Sequence, residues 1–390
     1  MDRKSLKQLS DILAPLLLMV FKYLAPFFRR RNSDLKTIAI LKMRGFGDVA
    51  LMYPVIELIK NSQKDIKLIA IATAQTQSIF KTCRDIDEVL VYDPLETDRG
   101  IFALMKFLYM LRKKNIGIFL DFSHNFQFTP FFAVISGARH RLGLTHEDRY
   151  RGELFTKNVK YNDKEKVIFQ FHSIYVNYCA ILKITPSSRE ALTQFQIPVD
   201  ENAITEAQKW ISNRLLGCNR IIGIHTGSGG TNIWRRWPKD NFLTLISELL
   251  IDPKVGVILT GAGAEKDDVI DSISQLNNTR VVPALNLPVE KFFTLISQLD
   301  CFISNDSGPL HIGTLVGTYT IGLFGPETPE RYGPIHQNSV SLFKSLRCSP
   351  CIQVHKAYNP DCHNVKKMEC LRKISVLEVL QHINKANNRL

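Results

Sequence analysis

One stretch of the sequence combines acidic, hydroxyl and glycine residues where a predicted strand is followed by a predicted helix. This stretch is Cys301–Pro334, and its turn contains Asp306, Ser307, Gly308 and His311. The first turn of a helix has unpaired backbone N–H groups, and the helix dipole favours negative charge there. The turn is therefore suited to binding a phosphorylated ligand. The alternative is that Asp306 and Ser307 only cap the helix.

A second glycine-containing turn, Arg44–Asp48, follows the first apolar run of the chain. Its two glycines allow a tight backbone turn, and Asp48 stands at the start of the next predicted helix, where capping is the ordinary role of an aspartate. The turn lacks the third glycine of a dinucleotide-binding fingerprint, and the sequence contains no Walker loop. Pro54 lies inside the predicted helix and should kink it or delay its start.

A third turn, Thr226–Pro238, begins with hydroxyl and glycine residues and continues with Arg235 and Arg236. An arginine beside a glycine-rich turn is suited to a diphosphate, because its guanidinium is permanently charged and donates hydrogen bonds in a fork. The alternative is a surface arginine that stacks on tryptophan. A later loop carries Glu265, which could accept hydrogen bonds from ribose hydroxyls.

The elements that carry these turns alternate between strands and helices. The predicted strands are Lys36–Met43, Ile66–Ala72, Glu88–Tyr92, Ile116–Asp121, Arg220–His225, Val255–Thr260, Thr279–Val282, Cys301–Ser304 and Thr318–Phe324. Nearly continuous apolar strands separated by helical stretches predict parallel sheets covered on both faces. A polar stretch near residues 185–202 separates two such series. We therefore predict an α/β protein with two doubly wound domains, whose ligands bind beyond the carboxyl ends of the strands.

Size and composition are those of a globular protein, with 390 residues, 45% apolar and 22% charged. The net charge of +13 favours a polyanionic partner, which could be nucleic acid, an acidic membrane surface or a phosphorylated substrate. No recognised nucleic-acid-binding module is present, so we do not predict nucleic acid as a partner.

Part of the positive charge lies in the first 35 residues. Ile12–Phe28 is apolar apart from Lys22, and the three arginines of residues 29–31 follow it. This stretch is short for a membrane span and contains a charge, and no signal-peptide cleavage site follows it. We predict a helix that lies in the cytoplasmic face of a membrane, beside anionic lipid. The alternatives are a helix docked on the protein's own surface and a true span.

Taken in order, the turns resemble the motifs of glycosyltransferase family nine, the bacterial lipopolysaccharide heptosyltransferases. The resemblance covers residues 36–334, and the segments that carry it are LKMRGFGDVALMYPVIELIK, GIHTGSGGTNIWRRWP, LTGAGAEKD and ISNDSGPLHIGTLVGTYTIGLFGPETPERYGP. It implies a GT-B architecture, in which two Rossmann-like domains face each other across a cleft. It also implies inverting transfer from a nucleotide-sugar, ADP-heptose in the best-known members, with no metal or other cofactor. The implied acceptor is a lipopolysaccharide core or a related phosphorylated glycolipid.

The resemblance also implies a role for individual residues. Sugar transfer requires the acceptor hydroxyl to lose a proton and the departing diphosphate to be stabilised. Asp48 matches the general base, and Arg235 matches a position that is usually lysine and would neutralise the diphosphate. The other residues matched to the donor site are Thr226, Glu265, Asp306, Ser307, Gly308 and His311. The expected segments are a membrane-associated helix over 1–35, an acceptor domain over 36–190, a donor domain over 191–345 and a cysteine-containing extension over 346–390.

Four of the eight cysteines lie in that extension, and they are Cys348, Cys351, Cys362 and Cys370. Their spacing begins with C-x2-C, so they could bind zinc, with His355 or His363 as substitute ligands. They could instead pack the extension or form a disulfide. The other four cysteines are scattered and are typical of core residues.

Three other functions fit parts of the sequence. A Rossmann oxidoreductase would explain the sheets, but its fingerprint is missing. A non-catalytic lipid-surface protein would explain the N-terminal stretch but would give Asp48 and the diphosphate turns no role. A family member that uses another nucleotide-sugar for surface polysaccharide synthesis also fits, since nothing in the turns identifies the sugar or the nucleotide. For the glycosyltransferase, the expected location is cytoplasmic and peripheral, on the inner face of the cytoplasmic membrane.

Overall fold

The structure is a computed structural model, and it describes residues 20–29, 34–94, 96–124, 126–146, 150–229, 233–353 and 360–387. The chain divides into two compact units, Met1–Leu192 and Thr193–Leu390.

The first unit contains a six-stranded sheet in which all neighbouring strands are parallel, in the order β3-β2-β1-β4-β5-β6. Its strands are β1 Asp34–Leu41, β2 Lys67–Ala72, β3 Glu88–Val91, β4 Ile116–Asp121, β5 His140–Thr145 and β6 Lys157–Lys160. Its helices are α1 (residues 20–28), α2 Phe46–Lys60, α3 Gln77–Thr82, α4 Ile101–Lys113, α5 Thr129–Ile135 and α6 Val167–Leu182. Strand β4 is buried along its whole length, as expected for a strand covered on both faces.

The second unit repeats this design, with parallel strands in the order β12-β11-β10-β7-β8-β9. The strands are β7 Arg220–His225, β8 Val255–Gly261, β9 Val281–Leu285, β10 Cys301–Asn305, β11 Thr320–Phe324 and β12 Ser339–Phe343. The helices are α7 Glu190–Gln194, where the division falls, α8 Glu201–Arg214, α9 Lys239–Leu249, α10 Lys266–Leu276, α11 Val289–Ser297, α12 Gly308–Leu315, α13 Pro329–Tyr332, α14 Glu369–Arg372 and α15 Val376–Asn387.

Alternate residues of the second sheet enter two different apolar clusters. Ile222 and Ile224 of β7 belong to one cluster, whereas Ile221 packs in the other with Phe302. Because successive side chains of a strand point to opposite faces, both faces of this sheet are covered. Leu371 after β12 contributes to the first of these clusters, as do residues of α15, so the C-terminal helices pack on the unit's core.

Both sheets have a topological switch point at corresponding places. In the first unit the chain runs from β1 outward to β3 and then returns to β4 on the other side of β1. In the second it runs from β7 outward to β9 and returns to β10 on the other side of β7. Within the first sheet, the loops that follow β1 and β4 therefore lie at its own switch-point crevice, and within the second sheet the same holds for the loops that follow β7 and β10. Open α/β sheets bind ligands at such crevices.

The predicted fold class and all nine predicted strands are confirmed, with ends that shift by three residues or fewer. Three strands were missed: β5, β6 and β12. β6 and β12 are edge strands with polar residues in their short sequences, so neither forms a continuous apolar run. The prediction that Pro54 delays its helix is wrong, because α2 begins at Phe46 and continues through Pro54 to Lys60.

The described part of the N-terminal stretch forms α1, and one of its faces is packed on the first unit. Phe21, Ala25 and Phe28 pack against a cluster that includes Phe131 and Leu154. This corresponds to the surface-docked alternative for residues 20–28. Residues 1–19 and 30–33, including two of the three predicted lipid-binding arginines, lie outside the described residues. Of the helices that the structure describes, none is both long and apolar enough to cross a membrane.

Candidate functional site

Asp48 lies in the first turn of α2, directly after β1, where the switch point of the first sheet is formed. Its carboxylate Oδ2 is 2.8 Å from Nζ of Lys42, which is buried, while the Asp48 side chain keeps 16% of its surface exposed. Capping is the ordinary role of an aspartate at the start of a helix, but Asp48 does not cap α2, because the N-cap residue is Gly45. Asp48 is thus a partly accessible carboxylate beside a fixed cation.

The backbone of Gly45 gives Asp48 its position. Gly45 has φ +91°, and a Cβ built on it would lie 2.7 Å from Oδ2 of Asp48. Any other residue would meet both the left-handed backbone conformation and this close approach. The turn therefore requires glycine here for a reason that involves the aspartate itself.

A buried ion pair supports the same edge of the first sheet. Asp121, the last residue of β4, accepts from Arg151 at 2.6 Å and from the backbone N–H of Ser123 at 2.8 Å. The side chains of the pair are fully buried, and burial raises the pKa of Asp121 while the charge of Arg151 lowers it. Ser123 in turn accepts from the backbone N–H of Met43 at 3.2 Å, which joins the loop after β4 to the loop after β1. Sequence reasoning missed this pair, whose members are 30 residues apart.

Arg235 and Asp306 meet at the switch point of the second sheet. Arg235 lies after β7 and Asp306 directly after β10, and Nη2 of the arginine is 2.5 Å from Oδ2 of the carboxylate. Asp306 is buried, whereas Arg235 remains 23% exposed. Burial lowers the pKa of Arg235, but the charge and hydrogen bond of Asp306 outweigh it and raise that pKa overall. Among the described residues, neither Nε of Arg235 nor Oδ1 of Asp306 has a hydrogen-bond partner.

The interpretation that the side chains of Asp306 and Ser307 only cap α12 is wrong. The N-cap of α12 is Ser307, and its side chain makes no capping hydrogen bond. The Ser307 hydroxyl instead lies 3.1 Å from the hydroxyl of Ser304, and Asp306 turns to Arg235. The first turn of α12, which begins at Gly308, therefore keeps its backbone donors without a side-chain cap. His311 is buried in the same helix.

Asn305 joins the two loops of this switch point, and sequence reasoning missed it. Its amide nitrogen donates to the backbone oxygens of Thr226, at 2.8 Å, and Gly227, at 3.0 Å. Its amide oxygen accepts from the backbone N–H of Trp237 at 2.8 Å. The available signal was an asparagine at the end of an apolar strand. In the structure Asn305 is fully buried, and a buried amide must find hydrogen-bond partners.

Glu265 contacts the glycine-containing turn that follows β7. Its Oε1 accepts from the backbone N–H of Gly229 at 2.9 Å, and its Oε2 is 3.5 Å from Nε2 of His225. A Cβ on Gly227 would lie 2.0 Å from Oε1 of Glu265, so the carboxylate occupies the space that only a glycine leaves open. Burial lowers the pKa of His225, although the charge of Glu265 raises it. The ribose-binding role of Glu265 stays a prediction.

Glu327 is a further buried carboxylate close to this site, and sequence reasoning did not single it out. Its Oε1 accepts from the backbone N–H of Thr328 at 2.8 Å and from Arg331 at 2.7 and 3.1 Å. Its Oε2 has no hydrogen-bond partner within the described ranges. Burial and the charge of Asp306 raise the pKa of Glu327 to about 7, against the opposing effect of Arg331. The available signal was the E-x3-R spacing in the turn after β11.

All eight cysteines are free thiols in the structure. Cys348 is exposed and Cys370 is buried, and burial together with the charges of the other three extension cysteines raises the pKa of Cys370 to about 11. Within the described residues, no three histidine, cysteine or acidic side chains form a group that could bind a metal ion. His355 lies outside the described residues, and the zinc interpretation of the four cysteines stays a prediction.

Two doubly wound sheets, each with polar turns at its switch point, match the GT-B fold of solved heptosyltransferase structures. The family model "Glycosyltransferase family 9 (heptosyltransferase)" matches residues 105–360. The chain belongs to this family and is a glycosyltransferase. The oxidoreductase alternative is therefore wrong.

Particular relatives agree with this assignment. Lipopolysaccharide heptosyltransferase 1 of Campylobacter coli is 26% identical over 300 residues, which are 74% of this chain and 83% of the relative. The structure of E. coli ADP-heptose lipopolysaccharide heptosyltransferase II aligns with a TM-score of 0.69 at 16% identity, over 90% of this chain and 98% of that one. The iron-containing dodecameric glycosyltransferase TibC of enterotoxigenic E. coli aligns with a TM-score of 0.53 at 14% identity, over 92% and 78%.

Proposed function

We propose that the protein transfers a heptose from ADP-heptose to a lipopolysaccharide core, or to a related phosphorylated glycolipid, with inversion at the anomeric carbon. The observation that carries this proposal is the pair formed by Arg235 and Asp306 at the switch point of the second sheet. Membership of the family supports heptosyl transfer. The names of the C. coli and E. coli relatives support lipopolysaccharide as the acceptor and ADP-heptose as the donor.

The diphosphate of the donor would bind Arg235. Its guanidinium is oriented by one hydrogen bond to Asp306, and the side chain keeps 23% of its surface exposed, so it can bind a phosphate oxygen without losing its orientation. The positive end of the α12 dipole, at Ser307 and Gly308, would add to the attraction. Thr226 could contribute a hydroxyl to the same phosphates. The cation is needed here because the buried carboxylate of Asp306 would otherwise repel the diphosphate.

Asp48 would act as the general base in the first unit. As the sugar leaves, the bond between its anomeric carbon and the diphosphate oxygen breaks, and the electron pair stays on the diphosphate. The acceptor oxygen forms the new bond to that carbon from the opposite side, and its proton passes to the carboxylate of Asp48. The salt bridge with Lys42 would fix the carboxylate for this transfer. The charge on the departing diphosphate would be balanced by Arg235 and the first turn of α12.

We propose that this transfer needs no metal, because a guanidinium and a helix N-terminus supply positive charge to the leaving group. TibC, a structural neighbour, is iron-containing. Transfer should therefore be measured in a chelator and again after addition of ferrous iron. Full activity in the chelator is the expected result, and activity that returns only with iron would contradict it.

The experiment that tests the proposed function is a screen of nucleotide-sugars. ADP-heptose should raise the melting temperature of the protein, and it should be consumed when a heptose-deficient lipopolysaccharide is added. Stabilisation by a UDP- or GDP-sugar alone would overturn the ADP assignment and favour surface polysaccharide synthesis with another donor. Stabilisation without any transfer would contradict the proposed acceptor.

A glycolipid acceptor would place the protein at the inner face of the cytoplasmic membrane. The packed position of α1 supports this location, because its outer side exposes Tyr23 and Phe27. Arg29 follows directly after the helix and is also exposed. Aromatic side chains beside a cation are typical of segments that contact lipid head groups.

A further inference from the structure

Helix α4 of the first unit has an unusual composition for a surface helix. Its sequence, IFALMKFLYMLRK, contains no acidic residue and three basic ones, Lys106, Arg112 and Lys113. The helix packs on the unit through Phe107 and Leu111, which are buried in the core of the first sheet. This buried face accounts for only part of its apolar side chains.

The outer face of α4 is also apolar. Ile101, Phe102, Met105 and Tyr109 are exposed by 61%, 89%, 58% and 61%, respectively. Their spacing places them on one side of the helix, since positions four residues apart are neighbours on a helix surface. Isolated exposed apolar residues are ordinary on protein surfaces, but a row of large ones along one helix marks an interaction site.

Basic side chains border this apolar row. Lys106 is exposed, and the ammonium group of Lys113 lies 4.5 Å from the centre of the Tyr109 ring. Arg99, just before the helix, is exposed as well. An apolar helix face bordered by cations and free of carboxylates is the pattern of a helix that lies in a membrane interface.

Arg112 connects α4 to α1. Its Nη1 donates to the backbone oxygen of Phe28 at 2.8 Å and to that of Ile135 at 2.9 Å, and its guanidinium carbon is 5.7 Å from the centre of the Phe28 ring. The carboxyl-terminal ends of the two helices are therefore held together in the folded unit. Both helices carry large exposed apolar side chains, Phe27 on α1 and the row on α4.

We propose that the outer face of α4, together with the exposed side of α1, docks on the surface of an anionic phospholipid membrane. Charge favours this occupant over a second copy of the chain, because two copies of α4 would bring Lys106 and Lys113 against the same two residues, with no acidic residue on either helix. The chain as a whole carries a net charge of +13, which adds to the attraction. The proposal extends membrane contact from the N-terminal stretch to a folded helix and does not depend on the nucleotide or sugar used.

A double substitution on α4 tests the proposal. Phe102→Asp with Met105→Asp replaces two exposed apolar side chains by carboxylates, and the matched control makes the same change of charge at Leu216 and Ile251, which are 79% and 74% exposed in the second unit. The full chain is sedimented with vesicles of phosphatidylcholine containing phosphatidylglycerol. The α4 variant should bind at least about tenfold more weakly than wild type, and the control should bind within about twofold of it. Equal binding by wild type, variant and control would overturn the proposal.

Hydrogen exchange on the wild-type chain separates α4 from the N-terminal stretch. Added vesicles should slow the exchange of peptides from residues 101–113, and pure phosphatidylcholine should slow it less. Absence of protection in α4 on bound protein would overturn the proposal, even if the N-terminal stretch is protected. Protection that depends on protein concentration without vesicles, and that the α4 variant abolishes, would assign the face to self-association and would also overturn it.

Discussion

The substitution Glu327→Gln should make the second unit more stable at high pH. Glu327 is fully buried, and burial and the charge of Asp306 raise its pKa from 4.5 to about 7. Below the ordinary value of 4.5 the carboxyl is protonated in both folded and unfolded chains, so it does not affect the balance between them. Between 4.5 and about 7 it is protonated when folded and ionised when unfolded. The free energy of unfolding therefore falls as the pH rises through this window.

The size of the effect follows from the change in pKa. A pKa unit corresponds to about 1.4 kcal/mol, so a rise from 4.5 to about 7 corresponds to about 3 kcal/mol of destabilisation once Glu327 is ionised. Glutamine has nearly the same shape and keeps an oxygen that can accept from Arg331, but it cannot ionise. The variant should thus be close to wild type at about pH 5 and more stable by up to about 3 kcal/mol at about pH 8.

Denaturant titration followed by tryptophan fluorescence is the assay, because Trp210, Trp234 and Trp237 all lie in the second unit. The exposed Glu330, in the same turn, provides the matched control: Glu330→Gln removes one charge at the surface and should change stability by less than about 0.5 kcal/mol at either pH. A Glu327 variant that is destabilised equally at both pH values would refute the reasoning. It would show that the hydrogen bonds to Arg331 outweigh the cost of burying the charge.

Three further substitutions test the turn of Asp48 in the first unit and the loops of Arg235 and Glu265 in the second. Gly45→Ala should lower turnover at least about tenfold while ADP affinity is kept, because its methyl group would displace Asp48; unchanged turnover would contradict this. Arg235→Lys keeps the charge but not the fork of donors, so calorimetry should show ADP binding about tenfold weaker, and equal affinity would argue against diphosphate contact. Gly227→Ala would place its Cβ 2.0 Å from Oε1 of Glu265, and it too should weaken ADP binding. Wild-type affinity for ADP in this variant would show that the loop of Gly227 does not take part in donor binding.

The periodicity of the sequence predicted most of the fold. Continuous apolar runs identified strands such as β4 and β10, since a strand buried on both faces needs apolar residues throughout. The edge strands β6 and β12 were missed, because their short sequences contain polar residues and form no continuous apolar run. The turns after β1, β7 and β10 were identified as candidate sites, and the switch points lie there.

The partners within the site could not be predicted from local patterns. Asp306 was assigned to a donor-binding turn, with helix capping as the alternative, but its partner Arg235, which is 71 residues away, was not predicted. The same holds for Asn305, whose partners lie between 68 and 79 residues earlier in the chain. Contacts of this length arise only when strands assemble side by side, so no rule based on neighbouring residues contains them.

The central claim is tested most directly by the turnover of an Asp48→Asn variant with the nucleotide-sugar that stabilises the protein. Asparagine keeps the size of the side chain but cannot accept the acceptor's proton. We predict that the rate of sugar transfer falls by about 100-fold or more, while the affinity for ADP stays within about twofold of wild type. Transfer at the wild-type rate by Asp48→Asn would contradict the account.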